Sequence, residues 1–209
     1  MTNGLLLTDY ESLYRAWKRF KRGKHSSQAI DEFAYNLEVN LTQLSFELSN
    51  GSYKHGNYQP VVLYEKKRRD LAVATVRDRV VHRLIYDYLV SINDKTFDPD
   101  VWSCRKGKGL HACLARTQKL LQRRSSGYVW RAVITKFYDN VSHTTLLNCL
   151  QRRISRDSNA LSLIDKIIAS YPQLEVSQSV SQSVSQSVSQ SGHPYWQFNQ
   201  SNILEHIPT

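Results

Sequence analysis

The chain has 209 residues, 41% of them apolar, which is enough for one substantial core and excludes neither one domain nor two small ones. Its formal net charge of +10 argues for a polyanionic partner. Three cysteines, Cys104, Cys113 and Cys149, fit neither a disulfide framework nor a zinc site; with no signal-like or membrane-spanning run, a soluble, cytoplasmic protein is expected.

In chain order, Thr8-Asp9-Tyr10-Glu11 has the pattern of a capping box, and Leu13, Trp17 and Phe20 follow at helical spacing. After the polar break 22–27, one long helix is expected through Ile30, Phe33, Leu37, Leu41, Leu44 and Leu48, ended by Asn50-Gly51. Val61–Tyr64 reads as a short strand, 66–70 as a charged turn, and Leu71, Val73 and Thr75 as a second strand. A second capping box, Thr75-Val76-Arg77-Asp78, opens a helix to about Ser91. Asp98-Pro99-Asp100 breaks the chain, and a loop with Gly107 and Gly109 leads into a helix through Leu114, Leu120 and Leu121. Tyr128–Ile134 reads as a compact apolar strand. Helices carrying Leu146, Leu147, Leu150 and Ile154, then Leu161, Ile164 and Ile168, follow a turn at Asp139-Asn140. Asp157 and Asp165 are expected on helices, facing solvent.

Charge is unevenly placed. Between Val101 and Arg131 stand eight Lys or Arg and no acid, and a second cluster runs from Lys66 to Arg69 and on through Arg77, Arg79 and Arg83. Such fields suit phosphate neutralisation, while no cationic helix with a wide apolar face points to a membrane. From Val176 to Ser191 the tetrapeptide Val-Ser-Gln-Ser is repeated four times. A Ser/Gln linker is one reading. The other is a DNA microsatellite: GTC AGT CAG TCA encodes this tetrapeptide and is the tetranucleotide GTCA iterated, so 192–209 is then expected in a shifted frame.

Three segments resemble, in order and spacing, those of bacterial reverse transcriptases, the enzymes of retrons, diversity-generating retroelements and group II introns. Lys67-Arg68-Arg69-Asp70-Leu71-Ala72-Val73, leading into Arg77-Asp78-Arg79-Val80-Val81-His82, resembles the fingers hairpin and the helix after it. Trp102-Ser103-Cys104-Arg105-Lys106-Gly107-Lys108-Gly109-Leu110-His111-Ala112 resembles the family's Ser-Tyr-x-x-Arg-x-Gly-x-Gly-x-His-Ala segment. Ala132-Val133-Ile134-Thr135-Lys136-Phe137-Tyr138-Asp139-Asn140-Val141-Ser142-His143 resembles the strand and turn that enter the palm.

The resemblance covers roughly residues 56–175 and implies an α+β fold: an N-terminal helical region (1–55), fingers (56–115) and a partial palm (116–175) of a right-hand polymerase. The repeat (176–191) and an unstructured tail (192–209) would follow. It implies triphosphate contacts from Lys67 and Arg69, where cations suit phosphate oxygens. Tyr138 would stack under the incoming sugar. Arg77, Arg79, Arg105, Lys106 and Lys108 would contact an RNA or RNA/DNA template–primer, the small loop residues letting backbone approach a strand. The resemblance also implies Mg2+, but the family's first metal-binding aspartate falls at Val133, and no Asp-Asp pair occurs in this sequence. Magnesium needs oxygen ligands, so the expected chain is catalytically dead and carries no metal site of its own. The alternative is an RNA-binding module retained without catalysis, or complemented by a partner chain that supplies the missing carboxylates.

Overall fold

The computed structural model describes residues 7–64, 68–124, 126, 128–134, 137, 141–155 and 157–171. The repeat, the tail, the tip residue Lys67, and Tyr138 with the Asp139-Asn140 turn lie outside these residues. The chain is helix-rich with one small antiparallel sheet, an α+β composition, in two compact units. The first holds residues up to Asn93 and returns at Ser142; the second begins at Asp94 and runs to Val141.

In the first unit, α1 (Tyr10–Lys21) starts one residue later than the capping-box pattern implies. Asp9, not Thr8, is the N-cap: its carboxylate accepts the Ser12 N–H at 3.3 Å. Glu11 instead reaches Arg15 one turn on, and the Thr8 carbonyl accepts from the Ser45 hydroxyl. The long helix expected over Ile30–Leu48 is two, α2 (Gln28–Tyr35) and α3 (Leu37–Ser49). The ladder breaks at Asn36, and the Phe33 carbonyl this frees accepts the Asn40 side-chain amide at 3.1 Å. Asparagine serves such interruptions because its side chain competes for backbone groups. The apolar stripe survives the break: Ile30, Phe33, Leu41 and Leu44 are buried, with Leu37 and Leu48 packed against them.

β1 (Gln59–Tyr64) pairs with β2 (Arg68–Val73), in a register running from Gln59 opposite Val73 to Tyr64 opposite Arg68. Arg68–Asp70, expected in the turn, is therefore strand, and Thr75, expected in the strand, is the cap of the next helix. Every β1 side chain is exposed, so the hairpin contributes little to the core. That core is built around α4 (Val76–Asn93), whose Val80, Val81 and Leu84 are fully buried against Leu13, Trp17 and Phe20 of α1 and residues of α2 and α3. Full burial of such a side chain is worth about 1.5–3 kcal/mol.

Two later helices belong to the same unit. α5 (Leu110–Arg123) lies in the second, while α6 (His143–Ile154) and α7 (Ser158–Ser170) return to the first and add Ile154, Ala160, Leu163 and Ile164 to its core. Asp157 does not face solvent as expected. It caps α7 by accepting the Ala160 N–H at 2.9 Å, and its other oxygen accepts the Tyr88 hydroxyl of α4 at 2.8 Å. Asp165 is exposed on α7.

The second unit opens with a 3-10 turn, Asp94–Thr96, then a loop and α5. None of its described side chains is buried. The strand expected over Tyr128–Ile134 is absent: these residues are extended or irregular and unpaired, with Tyr128, Val129 and Trp130 almost fully exposed. A strand exists through its ladder, and no neighbouring strand stands beside this one among the described residues.

Candidate nucleic-acid interface

Where β2 runs into α4, the chain buries a carboxylate. Thr75 caps α4 by accepting the Asp78 N–H at 3.2 Å and in turn donates its hydroxyl to Asp78 Oδ2 at 2.6 Å. The Gly56 N–H donates to the same oxygen at 3.1 Å, and the Tyr53 hydroxyl donates to Oδ1 at 2.8 Å. Three donors around a side chain 1% exposed satisfy a charge that burial alone would make prohibitive. A Cβ on Gly56 would stand 2.9 Å from Asp78 Oδ2, so only glycine lets the segment before β1 approach this closely. Burial first, then the Asp78 charge, pushes the Tyr53 hydroxyl well above its ordinary range and keeps it a donor.

Beside this network, His55 Nε2 and His82 Nε2 stand 3.0 Å apart, the rings stacked on one another and His55 stacked on Tyr58. The contact of His55 Nδ1 with the Gly56 carbonyl at 2.6 Å requires a proton on Nδ1. In the neutral pair, His55 Nε2 is then the acceptor and His82 Nε2 the donor. Burial, and secondarily the His55 charge, lowers His82 from 6.5 to about 4, which agrees with a neutral donor.

The arginines expected to meet nucleic acid are differently engaged. Arg77 pairs with Glu47 of α3, donates to the Lys54 carbonyl at 3.3 Å and lies over the Tyr53 ring. It ties α3 and the pre-hairpin segment to the start of α4. Arg79 lies 4.7 Å from the centre of the Phe20 ring, and burial lowers its pKa. Arg69 stands opposite Leu63 in the hairpin; its side chain, like Lys67, lies outside the described residues.

In the second unit Arg105 is spent on its own loop. Its Nε donates to Asp94 Oδ1 at 2.8 Å, Nη2 to the Asp94 carbonyl at 2.8 Å, and Nη1 to the Asp98 and Val101 carbonyls. Lys108 donates to the Pro99 carbonyl and lies over the Trp102 ring. Lys106 alone of the three is exposed with no partner among the described residues. Gly107 sits between them at φ +74°, a conformation that side chains resist. Arg116 of α5 makes a two-pronged pair with Asp100, at 3.0 and 3.1 Å, which holds the Asp100 carboxyl below its ordinary range. Two of the eight cations in the acid-free stretch are therefore neutralised by acids just upstream of it, Asp94 and Asp100. A window free of acids in sequence is not one in space.

On α5 the remaining Lys119 and Arg123 are exposed, as are Arg124 at its C-cap and Tyr128 and Trp130 after it, the combination that phosphates and unstacked bases favour. Val133 is 36% exposed and offers hydrocarbon where the resemblance implies a metal-binding aspartate. Among the described residues no group of three or more His, Cys, Asp or Glu could hold a metal ion. The described residues therefore do not fit the implied Mg2+. Also among them, no helix is long and apolar enough to cross a membrane.

Tyr53, His55 and Gly56 were not legible as site residues; the only signal was a His–Gly pair ahead of the hairpin. The chain is thus a helix-rich α+β protein with a buried carboxylate network at the hairpin base. No family model matches it, and a comparison with curated proteins finds no match.

Proposed function

We propose that this chain is a bacterial reverse-transcriptase relative that handles RNA or an RNA/DNA template–primer through fingers and partial-palm segments without joining nucleotides itself. The observation that carries the reading is the succession of three motifs: the Lys67–His82 hairpin and helix, the Trp102–Ala112 segment, and the Ala132–His143 segment. In its support, the first motif is an antiparallel hairpin running directly into a capped helix. The second is a cationic loop closed by Gly107, followed by a helix with exposed Lys119 and Arg123 and an exposed Arg124 at its C-cap.

Loss of catalysis follows from Val133. Joining a nucleotide requires charge stabilisation by divalent metals, and a valine contributes no oxygen to hold one. Primer extension with purified protein in magnesium or manganese is expected to give no incorporation above a mock preparation; clear incorporation would refute the inactive reading.

The second reading, an RNA-binding module complemented by a partner chain, is favoured by one observation. Lys106, Lys119 and the exposed aromatics after α5 do not need a metal to act. Filter binding across a salt series, with primer–template set against plain duplex, separates the two from a merely basic surface, which would bind weakly with no preference between them. Affinity for primer–template should fall with salt at a log–log slope of roughly −0.7 to −0.9 per phosphate contact. Absence of binding at low salt would remove both.

A further inference from the structure

Between the end of α1 and the first two turns of α4 the first unit gathers four cations, two of them against one aromatic ring. Lys24, in the turn after α1, places its ammonium 3.7 Å from the centre of the Phe20 ring, and the Arg79 guanidinium lies 4.7 Å from the same centre. Phe20 is buried at 2% exposure. Arg83 stands one helical turn beyond Arg79, on the same face of α4, and Arg19 projects from α1. Among the described residues the one acid in contact with this group is Asp87, shared between Arg19 at 2.8 Å and Arg83 at 3.2 Å.

The cluster is short of acceptors. Lys24 Nζ is buried and has no hydrogen-bond acceptor among the described residues. Arg79 has no hydrogen-bond or carboxylate partner among the described residues; its contact there is the ring face. Arg83 Nε lies near Asp87 without the alignment a hydrogen bond requires, so its N–H is unsatisfied as well. Buried donors without acceptors are rare and call for an explanation. A purely structural role does not provide one, because cations set against one another lower stability unless an anion joins them.

We propose that Lys24, Arg79 and Arg83 form a binding site for a phosphoryl group. Two guanidiniums one turn apart offer planar forks suited to phosphate oxygens, and an ammonium on four rotatable bonds adds a mobile third cation. A phosphoryl group presents its oxygens tetrahedrally to donors arriving from different sides, which a planar carboxylate does not, and free phosphate as a dianion also matches the excess positive charge. In accord with this, burial, then repulsion from Arg79 and Arg83, draws the Lys24 amine from 10.5 down to about 8. A bound phosphoryl anion would offset that repulsion. The site involves no metal and does not depend on the polymerase-family reading. The phosphoryl group has two possible sources, free phosphate or a nucleic-acid backbone.

Isothermal titration calorimetry on the full chain at pH 7 and constant ionic strength tests it in two arms. One uses inorganic phosphate, the other a short single-stranded oligonucleotide without terminal phosphates. Saturable binding at roughly millimolar affinity is expected in at least one arm, weakened tenfold or more in both K24M and R79Q. R22Q, an exposed charge change at the end of α1, should leave it unaltered. Phosphate as the ligand marks a terminal-phosphate site, and the oligonucleotide alone marks the same site occupied by a backbone phosphodiester. No saturable heat from either, or binding by both variants as tight as the parent chain's, overturns the proposal. Thermal melting guards against misfolding: K24M should melt no lower than the parent chain, because it deletes a charge with no acceptor.

Discussion

Asp78 shows how much a single buried charge can organise and how specific its demands are. Its three donors come from Tyr53, Gly56 and Thr75, on the segment before the hairpin and the one after it. Asp78→Asn can keep most of this by presenting its carbonyl to Gly56 and Thr75 and its amide to the Tyr53 oxygen, so a loss of about 1 kcal/mol is expected. Asp78→Leu leaves all three donors unsatisfied and should cost about 3 kcal/mol or more, read as a lower urea midpoint. Equal losses would show that charge neutralisation, not donor satisfaction, dominates. His82 makes a second residue-scale prediction, for pH. Its folded pKa is lowered from 6.5 to about 4, so between those values the unfolded chain binds the proton that the folded chain refuses. Stability should therefore be undiminished above pH 6.5 and fall as pH drops toward 4, by up to about 3 kcal/mol from this group. In His82→Leu that part of the pH dependence should vanish from chemical denaturation curves.

Among the elements, α7 is docked by one carboxylate used twice. Asp157 caps the helix through Ala160 and accepts the Tyr88 hydroxyl, whose pKa burial and that hydrogen bond push upward. Asp157→Ala removes both contacts and should cost about 2–3 kcal/mol, against about 1 kcal/mol for Tyr88→Phe. The double variant should cost less than the sum, and a coupling near zero in urea denaturation would separate the cap from the tyrosine. The hairpin and α5 stand differently. Each is a well-formed element with little or nothing of its own buried, held by backbone pairing in one case and, in the other, by its own helical hydrogen bonds and the Arg116–Asp100 pair.

At the scale of the molecule, the buried side chains all lie in the first unit and none among the described residues of the second. Local opening costs least where few apolar contacts are lost. Limited trypsin digestion should therefore cut first at Arg123, Arg124 or Arg131, and only later within α1 or α4, as read by mass spectrometry of early fragments. Early cleavage within α4 would contradict this.

Much of the helical architecture was legible because amphipathic spacing is a local property. The stripes over Leu13–Phe20, Ile30–Leu48 and Val80–Leu89 are the sides that the core covers, and Thr75 caps α4 where its position implied. Local pattern could not reveal the break at Asn36, whose freed carbonyl is met by Asn40, nor the shift of the first cap to Asp9. The apolar run Tyr128–Ile134 carries the composition of a strand, but a strand is defined by a neighbour that composition does not supply. Of the candidate site, Arg77, Arg79, Arg105 and Lys108 were visible as charges. Their engagement with Glu47, Phe20, Asp94 and Pro99 was not, because it joins residues distant in sequence or turned back by a loop. The sequence by itself determined the charge, the helix faces and the absence of an acid at Val133, since each is a matter of residue identity and spacing. Only the tertiary structure decided which cations are neutralised and which lack an acceptor, because pairing depends on distance in space and on the water that burial removes.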